Sequence, residues 1–336
     1  MHGGDSRVSD ALEHLRIAVL IPCRDEEESI GTVVRDLRRA LPGSIIYVYD
    51  NNSTDRTVEV AIDSGAKIGH QPLVGKGNVV NRMFSDIDAD VYILIDGDDT
   101  YDAASAPRLV ETLLEGPYDM VTAVRVFTDD EAYRSGHQFG NVLLTRIASI
   151  LFEADIRDML SGYRAFSYRF IKSFACISTG FEIETELTFH ALDMRMPIAE
   201  IEAPYRARRE GSVSKLRTFR DGFVILFTLI RLLEEEKPLT FFGIGSILLG
   251  ILVLILIILQ GSSFLLHGSP IDSLSLILTS TTMIAGLVSL VCGLILNTVT
   301  RGRKEMKRLR YLSLPKVDPQ LGITRSFGRV PSTNIP

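Results

Sequence analysis

The sequence predicts an α/β domain with a Rossmann-like, mostly parallel sheet and helices on both faces, followed by an amphipathic helix and a two-helix membrane hairpin. Two observations carry this prediction. Short apolar strand patterns alternate with helical ones over residues 16–96, and formal charge is spread very unevenly. Of 336 residues, 42 are acidic and 36 basic, yet the 63 residues from Pro238 to Thr300 hold one charge, Asp272. From Arg301 to Pro336, nine Lys or Arg face only Glu305 and Asp318, a net +7, which leaves −13 on the preceding 300 residues of a chain whose net charge is −6. This partition excludes a purely soluble enzyme. The hydrophobic content of 46% excludes a disordered chain, and a single charge-poor stretch excludes a many-span transporter.

Arg16–Pro22 (RIAVLIP) reads as a buried strand, Ser29–Leu41 as a helix and Ser44–Asp50 (SIIYVYD) as a second strand. Thr54–Ser64 is helical, Ala66–Gln71 a short strand, Gly77–Ile87 a helix and Val91–Asp96 (VYILID) a strand. That order is βαβαβαβ. In such a sheet, ligands collect at the carboxyl ends of the strands, so the polar stretches Pro22–Glu28, Asp50–Asp55 and Asp96–Asp102 are the candidate site.

Two later segments, about 241–259 and 274–296, reach the ~20 residues needed to cross ~30 Å of hydrocarbon. Two buried core helices are the alternative, but a soluble core rarely leaves so long a stretch with one charge. Arg301, Arg303, Lys304, Lys307, Arg308 and Arg310 follow the second span, so the positive-inside rule places both ends of the hairpin in the cytoplasm. Before the hairpin, Arg217–Lys237 spaces Phe219, Phe223, Leu226, Phe227 and Ile230 at three and four residues, as suits a helix lying on a membrane surface or packing on the domain. The expected organisation is a tail 1–15, a catalytic domain 16–216, a juxtamembrane helix 217–237, a hairpin 238–300 and a basic cytoplasmic tail 301–336.

Cys23, Cys176 and Cys292 lie far apart with no paired spacing, and the six histidines show no metal-ligand spacing, so neither a disulfide framework nor a zinc centre is expected. The polar N-terminus lacks the apolar stretch of a secretory signal. Any metal should therefore be held by oxygen.

Asp96-Gly97-Asp98-Asp99-Thr100-Tyr101-Asp102 puts four carboxylates within seven residues after an apolar strand. They repel one another, and a divalent cation is the simplest species that makes the cluster favourable; Mg²⁺ or Mn²⁺ suits such hard ligands. Alternation puts Asp96 and Asp98 on one side of an extended chain, within reach of one ion. Three readings compete: a solvated acidic turn, a metal-dependent glycosyltransferase, and a haloacid-dehalogenase-type phosphatase with Asp96 as nucleophile and Asp98 as acid or base. The phosphatase motif normally follows the first strand of its domain. Here it follows three others, and no Gly-Asp-x-x-x-Asp comes after it.

Four stretches occur in order: Pro22-Cys23-Arg24-Asp25-Glu26, Asp50-Asn51-Asn52-Ser53, Gly75-Lys76-Gly77-Asn78 and Asp96-Gly97-Asp98. With them the chain resembles the family 2 glycosyltransferases of GT-A fold over roughly residues 16–236, and most of all the polyprenyl-phosphate branch related to dolichyl-phosphate-mannose synthase. It departs from the family's usual Pro-x-Tyr-Asn-Glu at Arg24 and Asp25, and from Asp-Asp-Gly-Ser at Asn51 and Asn52. The resemblance implies nucleotide-sugar binding by Pro22, Arg24, Glu26, Asp50, Asn52, Lys76, Asp96 and Gly97, a cation on Asp96 and Asp98, and catalytic roles for Asp98, Asp158 and Arg164. Arg208-Arg209-Glu210-Gly211-Ser212-Val213-Ser214-Lys215 resembles the branch's basic loop, with one residue more between Gly and Ser. It implies an acceptor-phosphate role for Arg208, Arg209, Ser214 and Lys215, together with Arg125.

Gly180-Phe181-Glu182-Ile183-Glu184-Thr185-Glu186 carries acids at alternate positions, and if it opens a helix, Glu182 and Glu186 share a face. The implied partners are a nucleotide-sugar donor, a polyprenyl phosphate acceptor and membrane lipid, with no nucleic acid. The residues do not fix an oligomeric state, and a homo-oligomer is compatible with them. A processive polysaccharide synthase is disfavoured, since the chain has no Trp for that group's Gln-x-x-Arg-Trp motif. A non-catalytic lipid-binding scaffold is the alternative from another class.

Overall fold

A computed structural model of the chain describes residues 14–127, 156–175, 180, 182–206, 230–231, 233–234, 237–267 and 272–318. Arg208, Arg209, Ser214, Lys215, Cys176, most of the expected helix 217–237 and the Pro-rich tail past Asp318 lie outside the described residues. The chain forms two compact units, residues 1–216 with 308–336, and residues 217–307.

The first unit is built on a sheet of seven strands: β1 Ile17–Cys23, β2 Ile45–Asp50, β3 Lys67–His70, β4 Val91–Leu94, β5 Met120–Phe127, β6 Arg164–Ser167 and β7 Ile198–Tyr205. Their order is β3-β2-β1-β4-β6-β5-β7. All neighbours pair in parallel except β6, which runs antiparallel to both β4 and β5. The expected alternation up to β4 holds, with helices α1 Ile30–Ala40, α2 Thr57–Asp63 and α3 Lys76–Asp86 between the strands. Helices α4 Ala106–Glu115, α5 Tyr168–Ser173 and α6 Ile183–Asp193 complete the unit.

Strands β1 and β4 are apolar along their length because both faces are covered. Ile17, Val19, Ile21, Val91, Ile93 and Ile95 join Val33, Val34 and Leu37 of α1 and Leu109, Val110 and Leu113 of α4 in one core layer. Ala18, Leu20, Tyr92 and Leu94 face the other way, onto Val79, Val80, Met83 and Phe84 of α3 and Ile183, Leu187 and Ala191 of α6. Alternate residues of each strand thus feed opposite layers, as the pleat requires.

Two boundaries differ from expectation. Helix α2 starts at Thr57 rather than Thr54, because the Thr54 amide donates to Asp25 Oδ1 (2.8 Å) and Asp55 Oδ1 accepts the Thr57 amide and hydroxyl at 3.0 and 2.5 Å. Strand β4 stops at Leu94, so Asp96 lies beyond the ladder.

In the second unit, α7 Pro238–His267 and the first part of α8 Ser273–Leu312 are long and apolar enough to cross a membrane. Both helices run further than hydropathy indicates. Gln260 stays helical because its side-chain amide donates to Ser275 O (3.1 Å) and Thr279 Oγ1 (2.7 Å) of α8. Arg301–Leu312 continues α8 because Arg, Lys, Glu, Met and Leu are good helix formers and no Pro intervenes before Pro315. Gly286, Gly293 and Thr300, seven residues apart, are the buried positions of α8. A Cβ on Gly293 would lie 2.9 Å from Phe242 Cβ, so the small-residue seam lets the two backbones approach.

At the amino-terminal edge of the sheet, Asp119 is fully buried just before β5. It accepts from Arg169 Nε and Nη2 (2.5 and 2.8 Å), Ser167 Oγ (2.7 Å) and Tyr311 O–H (2.6 Å). The Arg169 guanidinium also lies 4.7 Å from the Tyr311 ring centre, and Arg308 donates to Met194 O at 3.3 Å. Residues 308–318 are thereby fastened to the α/β unit. Asp119→Ala strands the Arg169 charge and is expected to cost about 3–5 kcal/mol. Thermal unfolding of the full chain in detergent should show a clearly lower transition than for the parent protein.

Candidate active site

The carboxyl ends of β1, β2 and β4 bring the expected stretches together. Register sets Cys23 beside Asp50, and Asp50 beside His70 of β3. The Pro22–Glu28 and Asp50–Thr57 loops are laced by hydrogen bonds: the amides of Asp25, Glu26 and Glu27 donate to Ser53 Oγ (2.9 Å), Thr57 Oγ1 (2.8 Å) and Asp55 Oδ2 (3.1 Å). The Asn51 amide donates to Cys23 O at 2.9 Å. These bonds consume backbone donors and leave the Arg24 side chain exposed, 3.7 Å from Asp25.

Asn51 is buried and organises the next loop. Its side chain donates to Gln71 O and Leu73 O, both at 2.8 Å, and accepts the Gly75 amide at 2.7 Å. Asn52, at φ 60°, donates to Pro72 O (2.7 Å); asparagine tolerates this left-handed geometry. Asp50 accepts the Ser53 amide at 3.1 Å and lies 3.3 Å from His70 Nδ1. Sequence reading missed His70, which sits on a strand too short to show alternation.

The loop delivers Lys76 to the first turn of α3. Its ammonium, 11% exposed, contacts Asp96 Oδ1 at 2.5 Å and also Glu184 Oε1, a carboxylate 6% exposed on α6. Burial opposes the charge on Lys76, but the two carboxylates outweigh it and hold the ammonium above its ordinary pKa. The Gly77 amide donates to Gly180 O at 3.1 Å, so the segment leading into α6 is tied to the same loop. Of the three alternating acids, Glu184 is the one turned inward, while Glu182 is exposed and Glu186 half-buried.

Around Asp96 the backbone is tight. A Cβ on Gly97 would lie 2.5 Å from Cys23 Sγ, and one on Gly162 would lie 2.6 Å from Asp96 Oδ2. Ser29 Oγ donates to Gly97 O at 2.7 Å. Asp98 is 5% exposed, and its Oδ1 accepts the Thr100 hydroxyl at 2.6 Å. Burial, then the charges of Glu26, Asp96, Asp98 and Asp50, push the Cys23 thiol well above its ordinary pKa. One buried thiol thus senses four carboxylates from three strand ends.

Asp96 and Asp98 fit a hard divalent cation in kind. Among the described residues no group of three or more His, Cys, Asp or Glu is placed to hold a metal ion, so within these residues an ion on the pair would complete its shell with water and an anionic substrate. That is the usual situation of Mg²⁺ with phosphates.

Three expected site residues, Arg164, Asp158 and Arg125, are engaged with other groups of the protein. Arg164, expected to be catalytic, is fully buried, and its guanidinium donates to Ser161 O (2.9 Å), Met159 O (2.6 Å) and Thr188 Oγ1 (2.8 Å). Burial pulls its pKa down, and its donors are spent on pinning the 159–161 loop to α6. Asp158, 5% exposed, pairs with Arg125 at 2.7 and 2.8 Å, so the expected catalytic acid and phosphate contact hold each other. Arg125 also lies 5.5 Å from the Tyr205 ring centre. Tyr205 stacks edge-on to Tyr101, whose O–H accepts the Gly162 amide at 2.8 Å.

A mostly parallel sheet with one reversed strand and carboxylate-bearing loops at its strand ends is the architecture of the GT-A class of sugar-transferring enzymes. Residues 18–175 match the model of the family described as glycosyl transferase family 2. Glycosyltransferase AglJ of Haloferax volcanii is 34% identical over 230 residues, 68% of this chain and 75% of that protein. The dolichyl-phosphate hexose transferase of the same organism is 30% identical over 222 residues, 66% of this chain and 95% of that one. Glucosyl-3-phosphoglycerate synthase of Mycobacterium tuberculosis, solved with Mn²⁺, UDP and phosphoglyceric acid, superposes with a TM-score of 0.55 at 23% identity, covering 68% of this chain and 80% of that one. The chain belongs to glycosyl transferase family 2 and is a glycosyltransferase. The phosphatase and scaffold readings give way to it.

Gly162→Ala should keep the fold but displace the Asp96 carboxylate, and a misplacement of this size costs about a hundredfold in turnover. Sugar transfer measured beside an unchanged thermal melt checks this; a variant as active as the parent contradicts the geometry described.

Proposed function

We propose that the protein moves one hexose from a nucleotide-diphosphate sugar to a polyprenyl phosphate at the cytoplasmic face of the membrane, with inversion at the anomeric carbon. The observation that carries this reading is the coexistence, in one chain, of the Asp96/Asp98 pair at a strand end and two apolar helices of membrane-spanning length. The similarity to a protein named dolichyl-phosphate hexose transferase supports a lipid-phosphate acceptor. The basic run Arg301–Arg310 after the second span supports the cytoplasmic orientation.

In this reading, Asp50 and Asn52 contact the nucleoside, Pro22 to Glu26 shape the loop beside it, and Lys76 faces the diphosphate. Asp96 and Asp98 hold Mg²⁺ or Mn²⁺. When bound, the cation supplies charge neutralisation for the departing nucleoside diphosphate. An oxygen of the acceptor phosphate attacks the anomeric carbon, a new carbon–oxygen bond forms, and the bond to the diphosphate breaks with its electron pair leaving on the nucleotide. A phosphate monoester is largely ionised near neutrality, with its second pKa near ~6, so it needs no strong general base. The buried Asp158–Arg125 pair then acts by shaping the acceptor side rather than by proton transfer. Arg208, Arg209, Ser214 and Lys215 meet the acceptor phosphate near the membrane surface.

Asp98→Asn should lower transfer by about a hundredfold or more, and Asp158→Asn by clearly less. The assay gives the full chain in detergent radiolabelled UDP, GDP or dTDP sugars, a divalent cation and undecaprenyl phosphate. Label should pass into the organic phase with one donor. No organic-extractable label with any donor would contradict the acceptor assigned here.

A further inference from the structure

We infer that Lys76 is a resident counter-cation that occupies Asp96 before substrate arrives, so that the divalent cation binds well only together with the donor's diphosphate. The inference rests on the proposed reading of Asp96 and Asp98 as cation ligands and concerns the order in which that site fills.

The Lys76 ammonium joins two carboxylates distant in sequence, Asp96 at 2.5 Å and Glu184 on α6. Among the described residues it is the cation in ion-pair contact with either. Glu184 and Lys76 are both nearly excluded from solvent, and a buried carboxylate is costly unless compensated. Lysine suits this place because its ammonium is a compact point charge with three donors, able to bridge two acids.

The anchorage of Lys76 restricts its freedom to the side chain. Gly75, at φ 132°, precedes it, Asn51 fixes the Gly75 amide at 2.7 Å, and the Gly77 amide is held by Gly180 O. The backbone is therefore pinned on both sides while four methylenes carry the charge. Asp96, Asp98 and Glu184 with one ammonium leave two negative charges, but the ammonium stands on one of the ion's two carboxylate ligands and opposes a second cation there. A diphosphate arriving beside the loop adds negative charge and competing acceptors for Lys76. The ammonium turns to it, Asp96 is freed, and cation and donor enter as a pair. Glu184 acts as a positioning residue, holding Lys76 at the site when no diphosphate is there.

Mn²⁺ alone, with neither donor nor acceptor, tests this on the full chain in detergent, with free Mn²⁺ followed by its electron paramagnetic resonance signal. Lys76→Gln keeps a hydrogen-bonding side chain and removes the charge; it should bind Mn²⁺ about tenfold or more tightly than the parent. Lys76→Arg should stay within about threefold of the parent, since the charge remains. The gain must disappear in the double variant Lys76→Gln, Asp96→Asn, which locates the ion. Equal or weaker binding by Lys76→Gln overturns the inference. If that variant folds only when Mn²⁺ is supplied, the ion has replaced the lost charge and the inference stands; if Mn²⁺ does not rescue it, the inference falls. Lipid-linked transfer is absent from this titration, so it can fail while the proposed reaction succeeds, and the reverse.

Discussion

Carboxylates gathered at the end of a buried sheet repel one another and shed water only at a cost, so positive charge has to be supplied there. In this chain Asp50, Asp96 and Asp98 converge from two strand ends, with Glu26 beside them. The rest of the site is arranged around meeting that requirement. Lys76 is delivered by a loop that Asn51 holds in place, Glu184 reaches in from α6 to fix it, and Gly97 and Gly162 leave the space that the Asp96 segment occupies. In the proposed reaction the same carboxylates hold a divalent cation once a diphosphate has drawn Lys76 away, so a single arrangement would serve both the resting protein and the reaction.

The wall formed by Arg125, Asp158 and Arg164, the acceptor side in the proposed reading, is arranged differently. Arg125 and Asp158 neutralise each other, and Arg164 satisfies itself on backbone carbonyls and a threonine hydroxyl. Both arginines stiffen the wall beside Asp96, through the Tyr205–Tyr101 contact to Gly162 in one case and through the 159–161 loop in the other. The catalytic centre is thus supported by a layer whose charges are internally balanced, so that the charge left over is concentrated at the strand ends.

Legibility in the sequence followed burial. Strands β1, β2 and β4 are covered on both faces or nearly so, and their apolar runs showed directly, as did the carboxylate cluster after β4. Strand β6 is four residues long and begins with a buried arginine, so hydropathy carries no trace of it, and its reversal of direction could not be read. Arg164 was assigned a catalytic role because charge is visible in a sequence and the carbonyls that engage it are not. Glu184 was singled out only as one of three alternating acids, since which of them faces inward depends on where α6 begins. The two long apolar helices were read as about 241–259 and 274–296, and both run on beyond the point where hydropathy ends: Gln260 has partners on α8, and the basic residues after Thr300 are good helix formers.

The most direct test of the central claim is anomalous diffraction from crystals of the protein grown with Mn²⁺ and its nucleoside diphosphate. One anomalous peak is expected within coordination distance of the Asp96 and Asp98 carboxylates, bridged to the diphosphate, with the Lys76 ammonium moved from Asp96 onto a phosphate oxygen. A peak elsewhere, or Lys76 still seated on Asp96 beside a bound ion, would contradict that claim.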